Sequence, residues 1–256
     1  MLGSLGSSAY WHWAAHGKHQ AAGDYFRLGG DLPVLNAFAA WVRQGYQAAA
    51  AKRAPAAGYR SWRFWAKGSA RGQLVSGLVR DSSDSHGRPF PLLIVGSGPL
   101  SGWEEDWDLV PFACEGGWNQ MERLGAKGFE TVRELEAELG KIRSPAPQWP
   151  AFRTERDGLG DRLAPAAGAP PGAVLEGLKR RAAELARETE VHLSLDEGTA
   201  LDQFTLASLW HSLIRETGGQ APHVAFMGGS QEGSFLLLFR RALVPTDFVH
   251  LWTAPG

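Results

Sequence analysis

The segment Asp81-Ser82-Ser83-Asp84-Ser85-His86-Gly87-Arg88 gathers three hydroxyls, two carboxylates, an imidazole and a guanidinium within eight residues. These are the groups of nucleophilic hydrolysis, in which a base takes a serine proton and an acid orients the base. Ser83 or Ser85 acting with His86 would make the chain a small hydrolase. A working triad converges from separate loops, however, whereas Ser83, Asp84, Ser85 and His86 are neighbours on one turn. The GxSxG elbow that exposes a serine nucleophile is missing from the sequence. A turn accounts for more of these residues. Asp84 can accept backbone N–H groups, Gly87 can take positive φ, Arg88 can lie over Asp84 or Asp24, and Pro89 starts an extended segment.

His12, His16 and His19 form the second chemical candidate, since imidazoles along one helical face can ligate a metal. Gly17 interrupts the segment, and on a strand His12 and His16 would share a face while His19 pointed away. Asp24 is the nearest further ligand, so no metal site is expected. The third candidate, "LLIVGSGPLSG", is a strand followed by close glycines, as in a phosphate-binding turn. Ser101 stands where GxGxxG needs its third glycine, and Glu104, Glu105, Asp106 and Asp108 would oppose a phosphate at the following helix start. No nucleotide or other cofactor is expected. Eleven tryptophans are many for a chain of 256 residues. Core packing explains them most simply, and a carbohydrate-binding platform would use the same residues.

The elements that must position these groups follow from periodicity. Tyr10 to His16 reads as a strand. Leu35, Phe38, Trp41, Val42 and Tyr46 are spaced as one helical face, entered at Asp31 and Pro33 and closed near "KRAPAAG". "YRSWRFWAK", "GQLVSGLVR" and "PFPLLIV" read as strands, the last apolar enough to be buried on both faces. Helices are expected over Trp103 to Leu124, "TVRELEAELGKI" and "AVLEGLKRRAAELARETE". "VHLSL", "FTLASLW" and "HVAFMG" read as further strands. Prolines and glycines from 143 to 172 mark a linker or excursion between an N-terminal region, 1–142, and a C-terminal region, 173–256, packed on the same sheet. The fold class is α/β, a three-layer α/β/α sandwich around a mixed sheet.

Lysines and arginines number 26 against 27 aspartates and glutamates, a net charge of −1 that offers no field for nucleic acid. One cysteine, Cys114, precludes an intrachain disulfide and suits a cytoplasmic setting. The N-terminus lacks the pattern of a signal peptide, and no apolar stretch is long enough for membrane insertion.

Three blocks resemble the TagF (ImpM) proteins that accompany bacterial type VI secretion systems. Ser82, Asp84, Gly87, Arg88, Phe90, Pro91 and Leu92 match the family's serine-x-aspartate, glycine-arginine-x-phenylalanine-proline-leucine signature. Gly17, Lys18, Gly23, Asp24 and Arg27 fall on its N-terminal block, although His19, Gln20 and Tyr25 depart from it. Ser208, Leu209 and Trp210 resemble a second-half block. The resemblance implies a cytoplasmic, non-enzymatic accessory protein that holds secretion in check after translation by contacting a forkhead-associated scaffold protein. Gly23, Asp24, Arg27, Ser82, Asp84, Gly87 and Arg88 are then the expected protein-binding or loop-bracing residues.

Overall fold

A computed structural model describes residues 10–51, 59–163, 172–196 and 201–253. Its centre is an eight-stranded sheet formed by β1 (His12–Gly17), β2 (Phe26–Leu28), β3 (Ser61–Lys67), β4 (Gln73–Arg80), β5 (Leu92–Pro99), β6 (Glu190–Ser194), β7 (Val224–Gly229) and β8 (Ser234–Phe239). The spatial order is β2-β1-β5-β4-β3-β7-β8-β6. Strands from both ends of the sequence therefore share one sheet. Every neighbouring pair is antiparallel, which corrects the expected mixed sheet. The strands β3, β4 and β5 run as a meander and β7 and β8 as a hairpin, connections that suit antiparallel pairing, whereas parallel neighbours need a long crossover.

Alternation along the strands separates two apolar clusters. Trp62, Phe64, Val75, Val79, Leu93, Val95, Phe226 and Phe239 belong to one, with α1 (Pro33–Ala51) and α7 (Pro245–Thr253). Trp65, Leu74, Leu78, Leu92, Ile94, Met227, Leu236 and Leu238 belong to the other, with α2 (Val110–Ala126), α3 (Val132–Leu139), α5 (Ala173–Leu185) and α6 (Gln203–Glu216). Both faces of the central strands are thus covered, and β4 is buried along its whole length. Gly45 lets α1 approach α7, because a Cβ there would lie 2.3 Å from that of Phe248.

Two further expectations change. "FTLASLW" is not a strand but the front of α6, where Asp202 caps the helix by accepting the Thr205 N–H at 3.0 Å. All ten residues from Thr205 to Ile214 are buried, so no polar stripe reveals the helical period. The 143–172 segment carries α4 (Trp149–Asp157), with Pro150 in its first turn where the missing N–H costs nothing. Trp149 donates to the Ser101 carbonyl at 2.8 Å, fixing α4 to the main body. Arg156 of α4 and Arg215 of α6 both pair with buried Asp108, at 3.2 and 3.1 Å. The "KRAPAAG" helix end lies outside the described residues, as does 164–171 of the excursion.

Tryptophan is chiefly a core residue in this fold. None of the eleven is exposed, and eight are buried. The glycines of "GSG" make room for two of the others. A Cβ on Gly96 would meet the Trp13 ring at 2.2 Å and one on Gly98 the Trp11 ring at 2.5 Å. These glycines therefore serve strand packing.

His211 links α6 to β3. Its Nδ1 lies 2.8 Å from the Ala207 carbonyl, and its Nε2 lies 3.3 Å from the Trp65 Nε1, which can only donate. The ring is accordingly neutral, with its proton on Nδ1. Burial pushes its pKa down to about 4, partly opposed by the Ala207 carbonyl. Since the unfolded ring titrates near 6.5 and so binds the proton first, stability is lost as pH falls through the interval between these values. We predict that unfolding free energy falls between about pH 7 and about pH 5 by on the order of 1–2 kcal/mol from this residue. In denaturant titrations, His211→Phe should flatten that slope, and an unchanged slope would assign it to other groups.

Candidate functional site

The loop after β4 folds around Asp84, whose side chain is almost wholly buried. Oδ1 accepts the backbone N–H groups of His86 and Arg88, each at 3.0 Å. Oδ2 lies 2.9 Å from the Lys18 ammonium and 2.8 Å from Arg88 Nε. Gly87, at φ +74°, turns the chain so that these donors converge, and its N–H donates to the Asp84 carbonyl at 2.9 Å. A bridge between Ser83 and Pro89 and a bond from the Phe90 N–H to the Ser82 carbonyl close the loop.

The same aspartate binds the loop between β1 and β2. Lys18 follows Gly17, whose φ of +125° ends β1 where a Cβ would collide with the Pro91 carbonyl at 2.1 Å. Arg88 donates to the Gly23 carbonyl at 2.7 Å and approaches Asp24 at 3.6 Å. Ser85 donates its N–H to the Ala22 carbonyl at 2.9 Å. Tyr25 packs edge-on against Phe90 at 4.8 Å, and the Lys18 ammonium lies 4.8 Å from the Tyr25 ring. Two loops far apart in sequence thereby become one surface.

The structure brings Gly23, Asp24, Ser82, Asp84, Gly87 and Arg88 together, but not Arg27. Arg27 instead pairs with Asp31 at 3.1 Å and reaches the Gly30 carbonyl. The fourth partner of Asp84, Lys18, was not among the expected site residues. Its signal was present in the sequence, because Gly17-Lys18 and Asp84 fall on separate blocks of one family pattern. The block around Trp210 is internal, with Ser208, Leu209 and Trp210 all buried in α6.

Electrostatics make Asp84 a fixed anion. Burial alone would raise its pKa, but Lys18, Arg88 and the two loop N–H groups hold it well below the usual carboxylate range. Each oxygen already has two donors, so Asp84 is not placed to orient His86 as a catalytic base. Among the histidines, His16 contacts the Phe26 carbonyl at 3.1 Å and His19 accepts the Ala21 N–H at 3.1 Å. Among the described residues no cluster of three or more histidine, cysteine or acidic side chains is placed to hold a metal.

Residues 14–142, which contain both loops, match the model of the TagF N-terminal domain, described as type VI secretion system-associated. The chain belongs to the TagF family. A search of curated proteins gave no match. The crystal structure of PA0076 from Pseudomonas aeruginosa PAO1 is similar, with a TM-score of 0.53 and 17% identity over 95% of each chain. At that identity the likeness concerns the fold. No described helix is long and apolar enough to cross a membrane.

The linkage of Asp84 fixes its pH behaviour. With the folded pKa depressed, its contribution is present above the ordinary carboxylate range and lost only as pH falls through the lower folded value. Asp84→Asn should lower the melting temperature at neutral pH, because it leaves Lys18 buried beside Arg88 without a counter-charge. Arg88→Ala should cost about 1 kcal/mol or less, since its side chain is half exposed. Thermal melts of both variants check the order, and equal losses would show that Lys18 does not depend on Asp84.

Proposed function

We propose that this chain is a non-enzymatic, cytoplasmic accessory protein of a type VI secretion system that restrains secretion after translation by contacting a forkhead-associated scaffold protein. Membership of the TagF family supplies the secretion association. The observation carrying the contact reading is the clamp that joins the Gly23-Asp24 and Asp84-Arg88 loops into one edge. Rigid loops at the end of a sheet present recognition groups with little ordering cost on binding. Exposed Asp24, Tyr25 and Arg88 supply a carboxylate, an aromatic face and a guanidinium there.

The hydrolase alternative lacks a positioned acid, since Asp84 is occupied by its clamp. For a carbohydrate platform, the fold provides no exposed tryptophan. In this reading the helices on either side of the sheet make a three-layer α/β/α body, divided at 143–172, whose C-terminal strands complete the sheet.

The test is direct. Asp24→Ala and Arg88→Ala should remain folded by thermal melting and lose about tenfold or more in affinity for the cognate forkhead-associated scaffold. Unchanged affinity in both folded variants would remove the interface from this edge. His86→Ala should leave that binding intact, and ester or phosphoester turnover that disappears in His86→Ala would instead establish an enzyme.

A further inference from the structure

Arg80, the last residue of β4, is only 7% exposed and forms no ion pair among the described residues. One terminal nitrogen donates to the Glu122 carbonyl at 3.0 Å, and the guanidinium lies 4.6 Å from the Tyr59 ring. Its Nε, fully enclosed, has no hydrogen-bond acceptor. Gly125 of α2 leaves space for the side chain, since a Cβ there would stand 2.7 Å from Arg80 Cδ. The carboxylates of Glu122 and Asp81 act on it through space, but neither is in ion-pair contact with it, and Glu122 is engaged by Arg63 at 2.7 Å. Asp81 accepts the Arg60 N–H at 3.0 Å and lies 3.7 Å from the Arg60 guanidinium. A buried cation with no carboxylate in direct contact is unfavourable, and such a group is stabilised when an anion reaches it.

A cleft of about 370 Å³ opens at this arginine. Asp81, Ser82, Ser83, His19 and Lys127 also line it. Neither serine hydroxyl has a hydrogen-bond partner among the described residues, so both are available as donors. The Lys127 ammonium lies 5.1 Å from the Phe129 ring; its charge is felt by Glu138, which is itself in contact with Lys141 at 2.7 Å. His19 is kept neutral by burial and then by the nearby Arg80 charge, so it does not compete as a cation. Arg80 and Lys127 therefore leave two positive charges beside two hydroxyls, while Asp81 is already matched by Arg60.

We propose that this cleft binds a phosphate monoester, with Arg80 and Lys127 balancing the dianion and Ser82 and Ser83 donating to its oxygens. A phosphate monoester carries about −1.5 to −2 charges at neutral pH, close to that of the two cations, whereas a carboxylate supplies one. The cleft exceeds the size of a bare phosphate, leaving room for part of the group that bears it. The net charge of −1 over the whole chain makes the attraction local and unsuited to a polyanion. This site shares Ser82 with the expected protein-binding residues, but the scaffold contact tested at Asp24 and Arg88 uses neither Arg80 nor Lys127.

The test is melting of the full chain, followed by calorimetric titration, with inorganic phosphate against chloride at matched ionic strength. Phosphate should give a saturable rise in melting temperature. Arg80→Met should abolish it, and Lys127→Ala should weaken the affinity about tenfold, the equivalent of one charge-assisted bond. Should Arg80→Met fail to fold, Lys127→Ala and Ser83→Ala decide the matter. Absence of a saturable effect in the parent protein, retention of full affinity in both folded lysine and serine variants, or acetate binding as tightly as phosphate would overturn the proposal. Glycerol phosphate and a phosphoserine peptide separate the two sources, a free metabolite and a modified protein side chain. Tighter binding of either than of inorganic phosphate supports the site and names its source.

Discussion

One buried carboxylate constrains the end of the sheet. Removing Asp84 from water is unfavourable unless its charge and both oxygens are matched, and the two loops each supply part of what is needed. Its own turn contributes two N–H groups and Arg88, while the β1–β2 loop contributes Lys18. Neither loop can move independently without parting the buried Lys18 and Asp84. Position in the fold follows from that requirement: Gly87 must turn, Gly17 must let the chain pass Pro91, and Arg88 must bend back to the Gly23 carbonyl.

The sheet provides what such a clamp needs, a base that does not deform. Central strands are apolar on both faces, so displacement of β4 or β5 would disturb two separate clusters at once. The Asp84 loop leaves β4 and enters β5, the Lys18 loop leaves β1, and β1 pairs with β5 along five residues of register from His12↔Ser97 to His16↔Leu93. Lys18 and Asp84 therefore emerge from strands that are already neighbours. Their ion pair links segments the sheet has brought close, which limits the loss of chain entropy it must offset.

What could be read from the sequence divides along physical lines. The strands β3, β4 and β5 and the helices α1 to α3 were legible because their apolar residues follow a strand or helix period, although α2 starts at Val110 and not at Trp103, after turns and a short 3-10 segment at Trp107–Leu109. The α6 helix was not, since a helix buried around its whole circumference shows no polar face and seven of its residues look like a buried strand. The mixed sheet was expected from alternating helices and strands, a pattern that does not fix strand direction when the strands also join by short hairpins. At the site, the turn around Asp84 was legible from Asp, Gly and Pro at fixed offsets. The pairing of Lys18 with Asp84 and that of Asp108 with Arg156 and Arg215 were not, because sequence separation hides which charges meet.

The two faces of the β4–β5 loop show how neighbouring residues can be given opposite electrostatic situations. Asp84 is a buried anion with more donors than charge, whereas Arg80, four residues earlier, is a buried cation with fewer acceptors than donors. The excess cannot be shared between them, because Asp84 is held toward the β1–β2 loop while Arg80 lies against α2. Core packing alone would be served by an apolar residue at the end of β4, which would avoid burying an unpaired charge. Retaining arginine there keeps a guanidinium beside an open cleft, and Ser82 and Ser83 carry that polar wall to the edge of the clamped loop. The loop thus divides its work by direction, with one side holding the two loops together and the other left with unspent hydrogen-bonding capacity.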